Sequence, residues 1–259
     1  MAEAAETESE VIQVFLGSPR GWAPPRIDQE TADQFRHRCS TQNLPVFVHA
    51  AYLINLASPK PDTLQKSITT LKTTLTAAEQ IGAQGVVVHA GSSIDGDRPA
   101  ALERLATAYA TVLEDTPQKT RLLVEPTAGA ANATASTLKS TAEYLHAIDR
   151  PEVGLCLDTC HLHAAGETLD DADALHKALT ELTDTIGPDR IDLIHLNDSK
   201  DPHRSGRDRH ETLGHGTIGE HALRNIITNP ALATVPMVVE TPVPHAPDVA
   251  YAKRLRSPT

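Results

Sequence analysis

The chain has 259 residues, with 34 acidic and 23 basic side chains, a formal net charge of -11 and 13 histidines. That balance argues against a protein that grips nucleic acid through a general basic surface, because backbone phosphates are met by Lys and Arg. The length suits one (β/α) barrel of ~250 residues, and three cysteines, an odd number in so long a chain, favour a reducing compartment without a disulfide framework.

The chain opens on MAEAAETESE, which reads as a helical segment from Ala2 to Glu10 and lacks the basic end and apolar stretch of a signal peptide. Seven short apolar runs follow as predicted strands: Val11 to Phe15, Pro45 to Ala50, Gly85 to Ala90, Arg121 to Pro126, Val153 to Asp158, Asp192 to Asn197 and Pro236 to Thr241. Between them lie helical periodicities. The clearest runs through Leu64, Ile68, Leu71, Leu75, Ala78 and Ile81, with Asp62 as its expected N-cap. The longest stretch without periodicity, Asn197 to Thr217, is dense in charge, His and Gly. No run nears the ~18 apolar residues of a membrane span, so a cytoplasmic protein without a membrane partner is expected. Strand and helix in alternation predict an α/β fold with a parallel sheet closed as a TIM-type (β/α) barrel, one domain over residues 1–259. Seven runs stand where a barrel has eight, so the expectation is a barrel lacking its N-terminal first strand.

His49, His89, Glu125, Asp158, His195 and Glu240 each fall at or just after the C-terminal end of a different predicted strand. In a barrel those ends converge on one rim, where active sites lie. A lone His near a strand end reads as a hydrogen-bonded core residue, but six such groups at one rim would be costly to bury without cations. In DTCH, Asp158 and His161 are spaced so that one can face the main site and the other a neighbouring metal; in GRDRHETLGHG, Asp208 and His210 share one side of an extended segment. DRH alone would read as a solvated loop. His and carboxylate donors without thiolate favour zinc, with manganese or iron at the more carboxylate-rich position. Cys156 and Cys160 read as core or supporting residues. Divalent ions would also offset the negative charge where a phosphate would sit.

HAAYLINL, VVVHAGS, LLVEPTAG, GLCLDTCHLHAAG, HLNDSK, RDRHETLGHGTIG and VVETP, in this order from about Val11 to Pro242, resemble the successive motifs of the endonuclease IV family. The resemblance implies a barrel holding three zinc ions that cleaves double-stranded DNA 5′ to abasic sites, leaves a 3′-hydroxyl and trims blocked 3′ ends, by zinc-activated hydroxide attack on phosphorus. It implies a first zinc on His49, His89 and Glu125, a second on Glu125, Asp158, His195 and Glu240, and a third on His161, Asp208 and His210. Glu125, Asp158 and Glu240 become the catalytic carboxylates, with manganese an alternative at one position. DNA contacts fall on Arg20 and Trp22 of SPRGW, on Tyr52 and Leu53 of HAAYLINL, and on Lys200 and Arg207, with Arg204 and Arg209 nearby; Trp22 and Leu53 could equally pack in the core. The protein is expected to act as a monomer.

The chain departs from the family pattern in three places. The family's histidine-bearing first strand with its Gly-rich loop is missing; Pro126 stands where the family often has Asn; Ala50 and Ala51 stand where it has Asp and Ser. The last two change the surroundings of ligands, worth ~10 to 100-fold in affinity or activity. Two other readings follow. Glu125, Asp158, His195 and Glu240 alone would suit a one-metal sugar or sugar-phosphate isomerase or epimerase. The missing strand would suit a non-catalytic or unstable remnant, although a start codon placed too far downstream accounts for it better than a barrel built with seven strands.

Overall fold

The structure, a computed structural model, describes residues 2–116 and 119–257. Its main sheet has seven parallel strands, hydrogen-bonded in chain order: β1 Ile12–Val14, β2 Val46–His49, β3 Gly85–His89, β4 Arg121–Glu125, β5 Gly154–Asp158, β6 Ile191–His195 and β9 Met237–Val238. Helices α2 Gln29–Thr41, α3 Pro61–Gln80, α4 Arg98–Glu114, α5 Leu138–Ile148, α7 Ala172–Ile186, α8 Gly219–Ile227 and α9 Ala246–Arg256 pack around it, forming a nearly closed barrel.

Alternation along each strand sorts the side chains into two sets. Val46, Val48, Val86, Val88, Leu122, Val124, Leu155 and Leu157 join the core beneath the helices. Phe47, Val87, Leu123, Cys156, Leu193 and Val238 meet one another in the barrel interior, with Val11 against them. Two residues beyond each member of that interior layer, on the same face and one step nearer the C-terminal rim, stand Gln13, His49, His89, Glu125, Asp158, His195 and Glu240. The register makes this a ring, since His89 pairs with Glu125 and Asp158 with His195. A bulge between Leu155 and Cys156 preserves the phase: Leu155 pairs with Ile191 and Cys156 with Leu193, so Asp192 is the extra residue.

Several elements differ from the sequence expectation. Helix α1 spans only Ala2–Glu6, because Glu8 turns into the left-handed region at φ 51°. Helix α3 begins at Pro61, with Lys60 in the cap position and Asp62 in the first turn. Pro61 fixes φ and needs no N–H partner there, which moves the start ahead of Asp62. Strand β9 stops at Val238, not Thr241: the next amide inward, Glu240 N, bonds the side-chain oxygen of Asn197 at 2.8 Å, outside the ladder. The stretch after β6 carries a small antiparallel pair, β7 Asp198–Ser199 with β8 His210–Glu211. Residues 117 and 118 and the outermost residues of the single-domain expectation lie outside the described residues.

Strands β1 and β9 are the sheet's two edges and are not paired with each other. Between them opens a cleft of about 880 Å³ lined by Val11, Gln13, Val235, Met237, Val239 and Glu240 among others.

Candidate metal centre

The nine ligand-type residues meet at the C-terminal rim in three groups: His49, His89 and Glu125; Glu125, Asp158, His195 and Glu240; and His161, Asp208 and His210. Within each group the candidate donor atoms all lie within 4.8 Å of one another. Glu125, fully buried, belongs to two. Its Oε2 is 3.2 Å from His49 Nε2 and 3.4 Å from His89 Nε2, while its Oε1 is 3.0 Å from His195 Nδ1. The Asp158 carboxylate links onward, with Oδ2 at 3.8 Å from His195 Nδ1 and 3.6 Å from His210 Nε2.

Local structure explains how residues distant in sequence reach this rim. Asp158 caps the short helix α6, Thr159–Ala165, accepting the His161 N–H at 2.9 Å. That first turn points His161 at Asp208, Nε2 to Oδ2 at 3.2 Å. The loop bearing Asp208 and His210 is tied to the barrel by buried Asp198, whose carboxylate accepts the N–H groups of Ser199, Gly214, Gly216 and Ile218 at 2.8 to 3.0 Å. A side chain at Gly216 would collide with that carboxylate.

The electrostatics call for positive charge. Burial opposes ionisation of His161 and His210, yet Asp158 and Asp208 outweigh it and push them up to about 10 and about 9. Burial would likewise raise Glu125, but His195 and His89 hold it well below the usual carboxylate range. Protons on imidazoles here do what divalent cations would do among the same carboxylates. Donor chemistry fits as well. The groups offer nitrogen and oxygen in sets of three or four, suited to zinc. Among the described residues, His210 Nε2 is buried without a hydrogen-bond partner of good geometry, although Asp208 Oδ1 is 3.0 Å away. Cys160 also lies near Asp158 and His210, and burial pushes its thiol up to about 12.

The departures at Ala50 and Pro126 leave the ring orientations intact. His49 Nδ1 donates to the Ala50 carbonyl at 2.7 Å and His161 Nδ1 to that of Pro126 at 2.9 Å, contacts any side chain would permit.

Around the mouth, Tyr52 and Leu53 are exposed, and the Tyr52 ring lies 5.1 Å from His49 and 5.4 Å from His89. The Tyr52 N–H donates to the Pro19 carbonyl at 2.8 Å, joining its loop to the one bearing exposed Arg20. Trp22 instead packs partly buried against the core. Lys200 is exposed. Arg207 and Arg209 are both engaged by buried Asp201, Arg209 through Nε at 2.6 Å. Three further residues have no counterpart among the sequence candidates: Gln13, Asn197 and Asp198. Asn197 donates to Asp158 Oδ2 at 2.6 Å and accepts from Glu240 N, fixing two ligands at once. Its signal was its place two residues beyond His195; that of Gln13 was a polar residue in phase with the apolar interior of VIQVF.

A parallel barrel with such a rim is a xylose isomerase-like TIM barrel, and the family model of that description matches residues 1–257. Streptomyces coelicolor "Probable endonuclease 4" is 41% identical over 263 residues, spanning 99% of this chain and 90% of the relative. Saccharomyces cerevisiae "Apurinic-apyrimidinic endonuclease 1" is 33% identical over 261 residues, spanning 99% and 70%. In structure, endonuclease IV from Thermus thermophilus superposes with a TM-score of 0.82 at 31% identity, covering 98% of this chain and 90% of that one. The chain belongs to the endonuclease IV family. A D-tagatose 3-epimerase-like protein, with a TM-score of 0.73 at 17% identity over 98% and 90%, shares the fold alone.

Proposed function

We propose that this chain is a metal-dependent DNA repair endonuclease that cuts the phosphodiester 5′ to abasic sites in double-stranded DNA and trims blocked 3′ ends, acting as a single-domain monomer. The observation that carries this reading is the three-group centre joined through Glu125. Three zinc ions, with manganese an alternative at the more carboxylate-rich group, would supply Lewis acidity to the phosphate and lower the pKa of an attacking water. Glu125, Asp158 and Glu240 hold the negative charge that keeps the groups close together, and the imidazoles of His49, His89, His161, His195 and His210 complete them with Asp208. Tyr52, Leu53 and Arg20 stand where they would fill the space left by an abasic nucleotide turned out of the duplex. Trp22 packs against the core and not toward the mouth of the site. Lys200 and Arg207 would meet backbone phosphates, which at a net charge of -11 can only be a local contact.

The four-residue group alone would serve a one-metal isomerase, and the other five ligand-type residues would then stand at the same rim without a task. Elemental analysis of purified protein, with cleavage of an abasic duplex before and after chelation, tests the reading. Close to three zinc per chain and chelator-sensitive nicking are expected. Folded, metal-replete protein that does not nick abasic duplex refutes it, and one metal with aldose-ketose turnover supports the isomerase.

A further inference from the structure

A histidine that binds a cation presents one bare ring nitrogen and keeps a hydrogen on the other, and whatever accepts that hydrogen decides which is which. For three histidines of the centre a main-chain carbonyl does so: Ala50 for His49, Pro126 for His161 and Glu240 for His210, the last at 3.2 Å. His195 differs, because its Nε2 meets a side chain, the Oε1 of Gln13, at 2.8 Å. The other end of the same amide, Gln13 Nε2, donates to Glu240 Oε1 at 2.6 Å.

The orientation of this chain of bonds is forced by chemistry. An ionised carboxylate only accepts, so the amide nitrogen must face Glu240 and the amide oxygen must face His195. His195 Nε2 must then carry the hydrogen, and in the neutral, cation-binding form of the ring that leaves Nδ1 bare. Nδ1 is the atom aimed into the second group, 3.0 Å from Glu125 Oε1 and 3.2 Å from Glu240 Oε2. Gln13 sits on β1 and Glu240 just beyond β9, so one amide also spans the two unpaired edges of the barrel at its metal end.

We infer that Gln13 is a positioning residue for the second metal group: it sets the tautomer of His195 and orients the Glu240 carboxylate. This rests on the metal reading of the centre. A hydrophobic residue at position 13 would take the amide acceptor away from Nε2 of His195 and the amide donor away from Glu240, while the groups built on His49 and on His161 would keep their carbonyl partners.

Two measurements test it. In long-range proton-nitrogen spectra of the zinc-loaded protein, His195 is expected to be metallated at Nδ1 with hydrogen on Nε2. In Gln13→Leu under competition with a zinc chelator, one zinc equivalent is expected to be held ~10 to 100-fold more weakly, with the others retained and the chelated protein melting close to the parent. Metallation of His195 at Nε2, or a Gln13→Leu variant that holds every equivalent as tightly as the parent, overturns the inference. So does a fall in melting temperature that is the same with and without zinc. If Gln13→Leu does not fold, the spectrum of the parent decides alone. A parent that binds no zinc overturns the metal reading itself, whereas zinc-replete parent and variant that behave alike overturn only the role of Gln13.

Discussion

Glu125 shows how one side chain can organise a centre. Each of its oxygens faces a different pair or group of imidazoles, so the charge and both acceptor atoms are in use. Glu125→Gln keeps the shape, removes the charge and turns an N–H₂ toward one set of rings. Elemental analysis should show loss of metal from both groups that share it, and cleavage of abasic duplex should fall by roughly 10² to 10³-fold with the fold retained by circular dichroism. Asp201 is a second case. The Arg209 guanidinium beside it holds its carboxyl below the usual range. A depressed folded value means that the pairing stabilises the loop above the unfolded value of ~3.9 and is lost as pH falls through the folded one. In a carbon-detected titration the Asp201 midpoint should lie below the ordinary aspartate range, and Arg209→Ala should bring it back up.

Among the elements, the segment from β7 to α8 is the one whose order must be imposed. It has little apolar anchorage of its own, and four N–H groups converge on the Asp198 carboxylate in its place. Asp198→Asn replaces one acceptor oxygen with a donor facing those amides. Stability should drop by about 1 to 3 kcal/mol in urea melts. The metal group built on Asp208 and His210 should be lost first, while the two groups at the strand ends persist in metal counts. Much of the element plan was legible in the sequence: strands buried on both faces read as apolar runs, and α3 reads from its period. What misled was local chemistry at the ends. Pro61 starts α3 ahead of Asp62, and Asn197 draws Glu240 out of the ladder that would have extended β9.

At the scale of the whole molecule, the barrel is held by a continuous ladder from β1 through β6 to β9 and by side chains across the remaining cleft. Edge strands with backbone groups open on one side exchange and fray first. Amide hydrogen exchange should therefore be slowest in β3, β4 and β5 and faster in β1 and β9. Zinc should slow exchange at β1 and β9 and raise the melting temperature with concentration, since binding to the folded state alone contributes ~4 kcal/mol at a thousand times the dissociation constant. Equal protection of all seven strands, unaltered by zinc, would contradict this. By itself the sequence determined that ligand-type side chains stand at the ends of successive strands, because apolar runs separated by helical periods are local signals. Only the tertiary structure decided which atoms of those side chains face one another, that Trp22 packs against the core, that Asp201 engages two of the arginines, and that Gln13 reaches His195 across 182 positions of chain. Such contacts depend on rotamers and on packing between distant segments, and no local pattern encodes them.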